Sequence, residues 1–324
     1  MNKLDRRLSV APMLDWTDRH CRYFHRLISD QVLLYTEMIT TGAILHGQRD
    51  ELLAYSAAES PVAIQLGGSD PKDLAQCARL AEDLGYAEVN LNVGCPSDRV
   101  QKGRFGACLM KEPETVAACF QAMQEVVDIP VTIKSRIGVD DEDSYEAFVG
   151  FIEAVAGAGC ETFIVHARKA LLKGLSPKQN RSVPPLKYAY AHDLKTAHPD
   201  LTVVINGGIE TVEQTCTQLA HVDGVMVSRA FWNAPWLIRD MHEAVGLGEM
   251  HSTRDEVLVA YTAYCAQMIE QGVSLHWLIR PILGLYHGMP GNKKWKSHLV
   301  TEAPRRKTDV SVIQEAREKV NYAG

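Results

Sequence analysis

Eight short runs rich in Val, Ile and Leu recur along this chain, and each is followed by a stretch with helical apolar spacing. The runs read as strands at residues 8–12, 32–37, 62–66, 88–92, 131–134, 162–166, 202–206 and 224–228. Several are almost continuously apolar, as strands of a parallel sheet covered on both faces must be. The stretches between them carry helix punctuation. Asp70-Pro71 reads as an N-cap followed by proline at the first helical position, and Gly85 stands where a C-terminal cap belongs. Between them Leu74, Cys77, Ala78, Leu80, Ala81 and Leu84 trace one apolar face. Val116, Phe120, Met123 and Val127 form a second such stripe; Tyr145, Phe148, Ile152 and Val155 form a third.

Parallel strands joined by helices take right-handed crossovers, so two closures compete: an open doubly wound sheet and a barrel. Eight strands within about 230 residues favour the α/β class and a (β/α)8 TIM barrel. After Trp236 the strand pattern stops. Residues 256–271, 275–286 and 310–320 read as helices, with a kink predicted at Pro281. The expected division is a catalytic barrel at 1–238 and a helical domain at 239–324.

Apolar residues make up 46% of the 324, enough for a large core. No apolar run reaches membrane-spanning length, and residues 1–7 lack the apolar stretch of a secretion signal. A cytoplasmic protein that contacts no membrane is the expectation. The eight cysteines form no C-x-x-C pair and no zinc-like spacing with histidine, so neither structural disulfides nor a metal are expected. A net charge of −6 argues against a surface that binds nucleic acid everywhere, but leaves room for a local basic patch.

In barrel enzymes the chemistry sits at the C-terminal ends of the strands. Those ends hold Pro12 and Met13, Gln65, Asn92, Lys134 and Arg136, His166 and Arg168, Asn206-Gly207-Gly208, and Ser228-Arg229. Gly207 and Gly208 lie between a strand and a helix, where backbone N–H groups can approach an anion closely. Arg229 in the next loop can add a bidentate contact, which favours a phosphate grip over an ordinary turn. A lysine in a barrel mouth is costly without a negative partner. For Lys134 that partner is a nearby carboxylate or the N1 side of a reduced flavin. His166, on the same rim, is either a structural histidine or part of the same site.

Cys95 differs from the other cysteines: it stands between Gly94 and Pro96, in a loop directly after a strand end. An ordinary thiol titrates at about 8.5, so a thiol exposed there can act as a general acid at neutral pH. The following Lys102-Gly103-Arg104-Phe105-Gly106-Ala107 has glycines that could hinge a lid. Two basic clusters remain. Lys169, Lys173, Lys178, Arg181 and Lys187 have no acidic residue among them; Lys293, Lys294, Lys296, Arg305, Arg306 and Lys307 face only Glu302 and enclose Trp295. Basic residues interleaved with an aromatic suit an RNA backbone and a stacked base.

A-P-M at 11–13, N-L-N-V-G-C-P-S at 90–97, V-H-A-R at 165–168 and N-G-G-I at 206–209 resemble the tRNA-dihydrouridine synthases. H-A-R-K-A-L-L-K-G-L-S-P-K-Q-N-R at 166–181 and G-L-Y-H-G-M-P-G at 284–291 resemble the family's A-type branch. The resemblance implies a monomeric flavoenzyme that uses FMN and NADPH to reduce uridines in the D-loop of tRNA. It implies that Cys95 is the acid and that Pro12, Met13, Gln65, Lys134, His166, Asn206, Gly207, Gly208, Ser228 and Arg229 hold FMN. Asn92 would hold the uracil, and Lys178, Arg181 and Lys294 the tRNA. Ser228 departs from the glycine that members commonly carry there, which leaves its own role open. Two alternatives stand beside this. A small-molecule flavin enzyme of the dihydroorotate dehydrogenase kind needs neither the helical tail nor the basic clusters. A non-catalytic RNA-binding barrel needs neither Cys95 nor a full set of flavin contacts.

Overall fold

Short apolar strands hide both faces only if helices cover one side and the sheet curls to cover the other. The computed structural model describes residues 4–321 and shows that arrangement. Strands β1 (Leu8–Val10), β2 (Leu34–Thr40), β3 (Val62–Gly67), β4 (Glu88–Val93), β5 (Val131–Arg136), β6 (Thr162–His166), β7 (Thr202–Asn206) and β8 (Gly224–Val227) are all parallel. Their order is β1-β8-β7-β6-β5-β4-β3-β2. β1 then meets the residue before β2. The Val10 N–H donates to the Leu33 carbonyl at 2.9 Å, and the Leu33 N–H to that of Leu8 at 3.2 Å. The eight-stranded barrel predicted from the sequence is the one observed.

Strand β2 runs later than the pattern predicts, to Thr40 instead of residue 37. Its register shifts between Tyr35 and Met38. The strand continues past Glu37 and leaves it half-buried in the barrel mouth. The helix Pro71–Asp83 forms as predicted. Asp70 accepts from the N–H groups of Lys72 and Asp73, and the Tyr86 N–H closes the far end on the Ala81 carbonyl. Of its predicted apolar face, Leu84 is 47% exposed and lies outside the core.

Alternation along the strands sorts their side chains. Ile64, Leu66, Val89, Leu91 and Ile133 pack outward under the helices. Ala11, Leu33, Tyr35, Ala63, Ile164, Val204 and Met226 fill one part of the inside. The same inward positions carry buried polar groups at Gln65, Glu88, Asn90, Asn92, Thr132 and Asn206.

The helix Leu237–Ala244 packs on Val212–Leu219 of the barrel's outer ring, with Thr215 Oγ1 at 3.3 Å from Met241 Sδ. Beyond it, Arg254–Glu270, Leu275–Leu278, Asn292–Glu302 and Ser311–Arg317 form a helical layer. This layer docks on the helix Arg19–Ile28 through a Tyr23–Tyr264 stack at 4.0 Å and a 2.7 Å bond between His20 Nδ1 and Tyr264 Oη. The helix predicted over 275–286 is broken. Pro281, which has no N–H to give, opens a separate 3-10 turn, Pro281–Gly284. Trp295 also needs correcting: it is fully buried, not available for a base. Its Nε1 donates to the carbonyls of Ile282 and Leu283, and its ring meets Tyr286 edge-on at 4.9 Å. Among the described residues no helix is long and apolar enough to cross a membrane, and no three His, Cys, Asp or Glu side chains gather as metal ligands would.

Trp295→Ala is expected to lose about 3–5 kcal/mol by denaturant unfolding, as a truncated core aromatic does. Lys294→Ala, on the exposed face of the same helix, should stay within about 0.5 kcal/mol.

Candidate active site

The C-terminal strand ends open into a cleft of about 1060 Å³. Pro12 and Met13 from β1, Gln65 from β3, and Asn92 and Cys95 from β4 line one part of it. Lys134, His166, Asn206, Ser228 and Arg229 line the other, and Arg181 reaches in from the loop after β6. Gly207 and Gly208 lie directly behind His166 and Asn206. Their φ angles are 112° and 70°, and an added Cβ would come within 2.6 Å of the His166 ring and 2.5 Å of Leu186. Only glycine fits there without displacement. Two residues expected at the site stand outside the cleft. Lys178 is exposed on the rim beside Pro177, and Lys294 is exposed on the helix Asn292–Glu302.

Cys95 is half-buried, and four contacts hold its loop. Its N–H and that of Gly94 both donate to Asn92 Oδ1, at 2.9 and 3.1 Å. Its carbonyl accepts from the Ala107 N–H at 2.9 Å. Its Sγ lies 3.6 Å from Ser97 Oγ. The glycine-flanked segment expected to hinge a lid is packed down here: Phe105 and Ala107 are buried, and the short helix Asp98–Lys102 turns Arg99 and Val100 towards the cleft.

The cleft is strongly cationic. Lys134, Arg136, Arg181 and Arg229 line it, Arg168 lies near His166 and Arg229, and among the described residues none of the five meets a carboxylate in an ion pair. Lys134 Nζ donates to Asn206 Oδ1 at 3.1 Å, and Asn206 Nδ2 to the Met226 carbonyl at 2.7 Å. Burial, reinforced by Arg136, pushes Lys134 down to about 7. His166 is held well below its ordinary value, first by burial and then by Arg136, Lys134, Arg168 and Arg181. It is therefore neutral and can give or accept one hydrogen bond at each ring nitrogen. The buried Arg168 Nε has no hydrogen-bond partner among the described residues. At Ser228 the φ of −116° lies outside the left-handed region that favours glycine.

Some contacts at the cleft were not legible in the sequence. Arg136 is buried and spans three segments: its Nε donates to the Gly94 carbonyl at 2.9 Å, and its Nη1 to those of Lys169 and Asn180. A strand-end arginine gives no hint that it ties two loops together. Glu37 brings a carboxylate to the cleft, and burial raises its pKa. Trp277 brings the helical layer into the same wall. The basic run after β6 is also less free than it reads: Asp143, from the loop after β5, pairs with Lys169 at 3.2 Å and Lys187 at 3.4 Å. Lys173 and Lys178 stay exposed.

The family described as dihydrouridine synthase (Dus) matches residues 9–321. The chain belongs to the dihydrouridine synthase family. It is 53% identical over 318 residues, covering 98% of this chain and 97% of the other, to a protein of Vibrio cholerae named tRNA-dihydrouridine(20/20a) synthase. Proteins of the same name are 54% identical in Escherichia coli K12 (96% of this chain, 90% of the other) and 52% in Shewanella oneidensis (98% and 95%). Among solved structures, a 2-naphthoyl-CoA reductase complex superposes with a TM-score of 0.56 at 11% identity, over 73% of this chain and 50% of that one. That likeness is one of barrel fold alone. As a dihydrouridine synthase the chain is an oxidoreductase, and the cleft that gathers Cys95, Lys134 and His166 is the candidate for its active site.

Lys134 gives a pH test of that cleft. Its folded value of about 7 lies below its ordinary 10.5, so below pH 7 the fold carries the full cost of a buried charge. Between pH 7 and 10.5 the unfolded chain binds the extra proton, and that cost shrinks as pH rises. Lys134→Met should therefore be more stable than wild type below pH 7. The advantage should fade towards pH 10 in ligand-free protein, as read by thermal unfolding of the two proteins across that range.

Proposed function

We propose that this cleft binds FMN and reduces uridines of tRNA to 5,6-dihydrouridine, with NADPH as the reductant. The D-loop uridines 20 and 20a, given in the names of the relatives, are the expected targets. The observation that carries the reading is the set of cations without carboxylate partners, Lys134, Arg136, Arg181 and Arg229, that shares one cleft with a half-buried thiol, with the Gly207-Gly208 turn behind His166. A buried cation such as Arg136 is costly without an anion, and FMN brings one in its phosphate.

The residues present fit FMN. A Cβ at Gly207 or Gly208 would fill the space their backbone leaves, and Arg168 Nε lies buried without a partner. Gly207, Gly208, Asn206, His166, Ser228 and Arg229 would hold the ribityl phosphate. Pro12 and Met13 would back the ring through their main chain. Gln65 Oε1 and one Nε2 proton are engaged by Asn92 and Asn90, which leaves a single N–H to give to the ring edge. Lys134 would face the ring's N1 side, where a protonated ammonium stabilises negative charge. Reduced FMN, when bound, supplies the hydride that C6 of the uracil receives. Cys95 then gives its Sγ proton to C5, and the Asn92-anchored turn keeps that sulfur at the open side of the cleft. Asn92 would also hold the base, which has to leave its stack to enter.

We assign catalysis to residues 1–238 and tRNA contact to residues 239–324, with Lys178 and Arg181 on the barrel rim and Lys294 on the helical layer as phosphate contacts. No strand is followed by a G-x-G-x-x-G fingerprint. NADPH therefore uses the same mouth as tRNA, and the two bind in turn. A monomer working in the cytoplasm suffices for this scheme.

Cys95→Ala is expected to keep its flavin and its oxidation by NADPH, while dihydrouridine formation, measured by mass spectrometry of the tRNA, falls at least 100-fold in line with loss of a general acid. Turnover equal to wild type would remove Cys95 from the mechanism. Lys178→Ala should weaken tRNA binding and lower the slope of log K against log salt by about one, with NADPH oxidation unchanged. An unchanged slope would mean that Lys178 only solvates the rim.

A further inference from the structure

Beneath the cleft the barrel is threaded by a continuous polar column. At its floor Arg6 pairs with Glu88, the first residue of β4, and both are buried. Glu88 Oε1 also accepts from Tyr35 Oη at 2.8 Å and from Thr132 Oγ1 at 2.6 Å. Thr132 Oγ1 accepts from Asn90 Nδ2 at 2.9 Å, Asn90 Oδ1 from Gln65 Nε2 at 2.8 Å, and Gln65 Oε1 from Asn92 Nδ2 at 2.9 Å. Asn92 Oδ1 takes the Gly94 and Cys95 N–H groups. From the Cys95 turn down to Glu88 every bond points the same way, with Arg6 and Tyr35 donating to Glu88 from its other side, and both ends force that direction. Backbone N–H groups can only donate, and a carboxylate paired with arginine can only accept. Aligned hydrogen bonds of this kind polarise and strengthen one another.

We propose that Glu88 and Thr132 are positioning residues that act through this column on the cleft. The column fixes the Asn92–Cys95 turn, and it fixes which end of each amide faces the ligand. Asn92 Oδ1 is filled by two N–H groups and Gln65 Oε1 is turned towards Asn92, so each side chain keeps one N–H as its free donor. The cleft therefore offers N–H donors to carbonyl oxygens at these two positions, as a pyrimidine-dione or an isoalloxazine edge presents, and at Asn92 it has no acceptor for an exocyclic amine. Thr132 is the hinge of the scheme: its hydroxyl alone turns an amide donor into a donor towards Glu88. This inference rests on the proposed reading of the cleft for its kinetic consequence, but not for its effect on the turn.

The test compares Thr132→Val, which removes the hydroxyl at equal size, with Thr132→Ser, which restores it. In ligand-free protein, amide exchange at Gly94 and Cys95 should quicken at least tenfold in the valine variant and stay within twofold of wild type in the serine variant. With tRNA, kcat for dihydrouridine formation should fall at least tenfold in the valine variant, with KM for tRNA within threefold, and recover with serine. Wild-type protein that forms no dihydrouridine would sink the proposed function, while the exchange measurement would still decide the column. The column is overturned if Thr132→Val keeps wild-type exchange at both amides, if it keeps wild-type kcat in an active enzyme, or if Thr132→Ser is as impaired as valine. Should Thr132→Val not fold, Asn90→Ala cuts the same column one link higher and carries the same expected and overturning results.

Discussion

Two hydrogen bonds between Leu8–Val10 and Leu33 turn a row of parallel strands into a closed ring. Without that closure β1 and β2 would be edges, and residues from the first and eighth strands would lie at opposite ends of an open sheet. With it, Met13 and Arg229 share a cleft with Cys95 and Lys134. Closure also gives the inner face a narrow axis, where the inward side chains of neighbouring strands must either pack or bond. On one part of the circumference they pack, with Tyr35, Ile164 and Met226 buried against each other. On the other they bond, through Gln65, Asn90, Asn92 and Thr132. Below the cleft floor Glu88, Asn90 and Thr132 are fully buried, so their groups have to satisfy one another.

Charge at the mouth follows a different rule. A folded protein usually gives a buried cation a carboxylate, as Arg22 has Glu59 at 2.8 Å and Arg6 has Glu88 lower in the barrel. Arg136, Lys134 and Arg168 instead lean on carbonyls and amides, which accept hydrogen bonds but do not cancel charge. The fold tolerates this at a cost to stability, and the lowering of Lys134 and His166 registers that cost. A ligand that carries negative charge removes it, so affinity and fold stability are linked at this site.

Strand number, barrel closure, the cap at Asp70 and the convergence of Cys95, Lys134, His166 and Arg229 were all legible in the sequence, because each depends on local pattern or on strand-end position. What was not legible depends on partners far along the chain. Trp295 sits among lysines in sequence, yet its indole is claimed by Ile282, Leu283 and Tyr286. Lys169 and Lys187 read as free until the loop after β5 brings Asp143 to both. Glu37 reads as the end of a strand until the register shift at Tyr35–Met38 carries that strand past it. The polar column was hidden for the same reason: its members come from β3, β4 and β5, and only the parallel register Gln65↔Asn90↔Thr132 sets them side by side.

The Cys95 turn shows how firmly the thiol is placed before any substrate arrives. Asn92 grips its N–H groups from below, Arg136 holds the Gly94 carbonyl from the side, and the Ala107 N–H holds the Cys95 carbonyl from the following segment. The last contact needs glycine at 106. Its φ is 74°, and a Cβ there would come within 2.6 Å of the Cys95 carbonyl oxygen. A group tied on three sides loses little entropy when it must meet a reacting carbon, so the freedom to be lost lies with the base that comes to it. That division suits an enzyme whose substrate arrives inside a folded RNA. In the mechanism proposed above, the protein would supply a fixed proton and a fixed pair of amide donors, and the one large rearrangement would belong to the nucleotide.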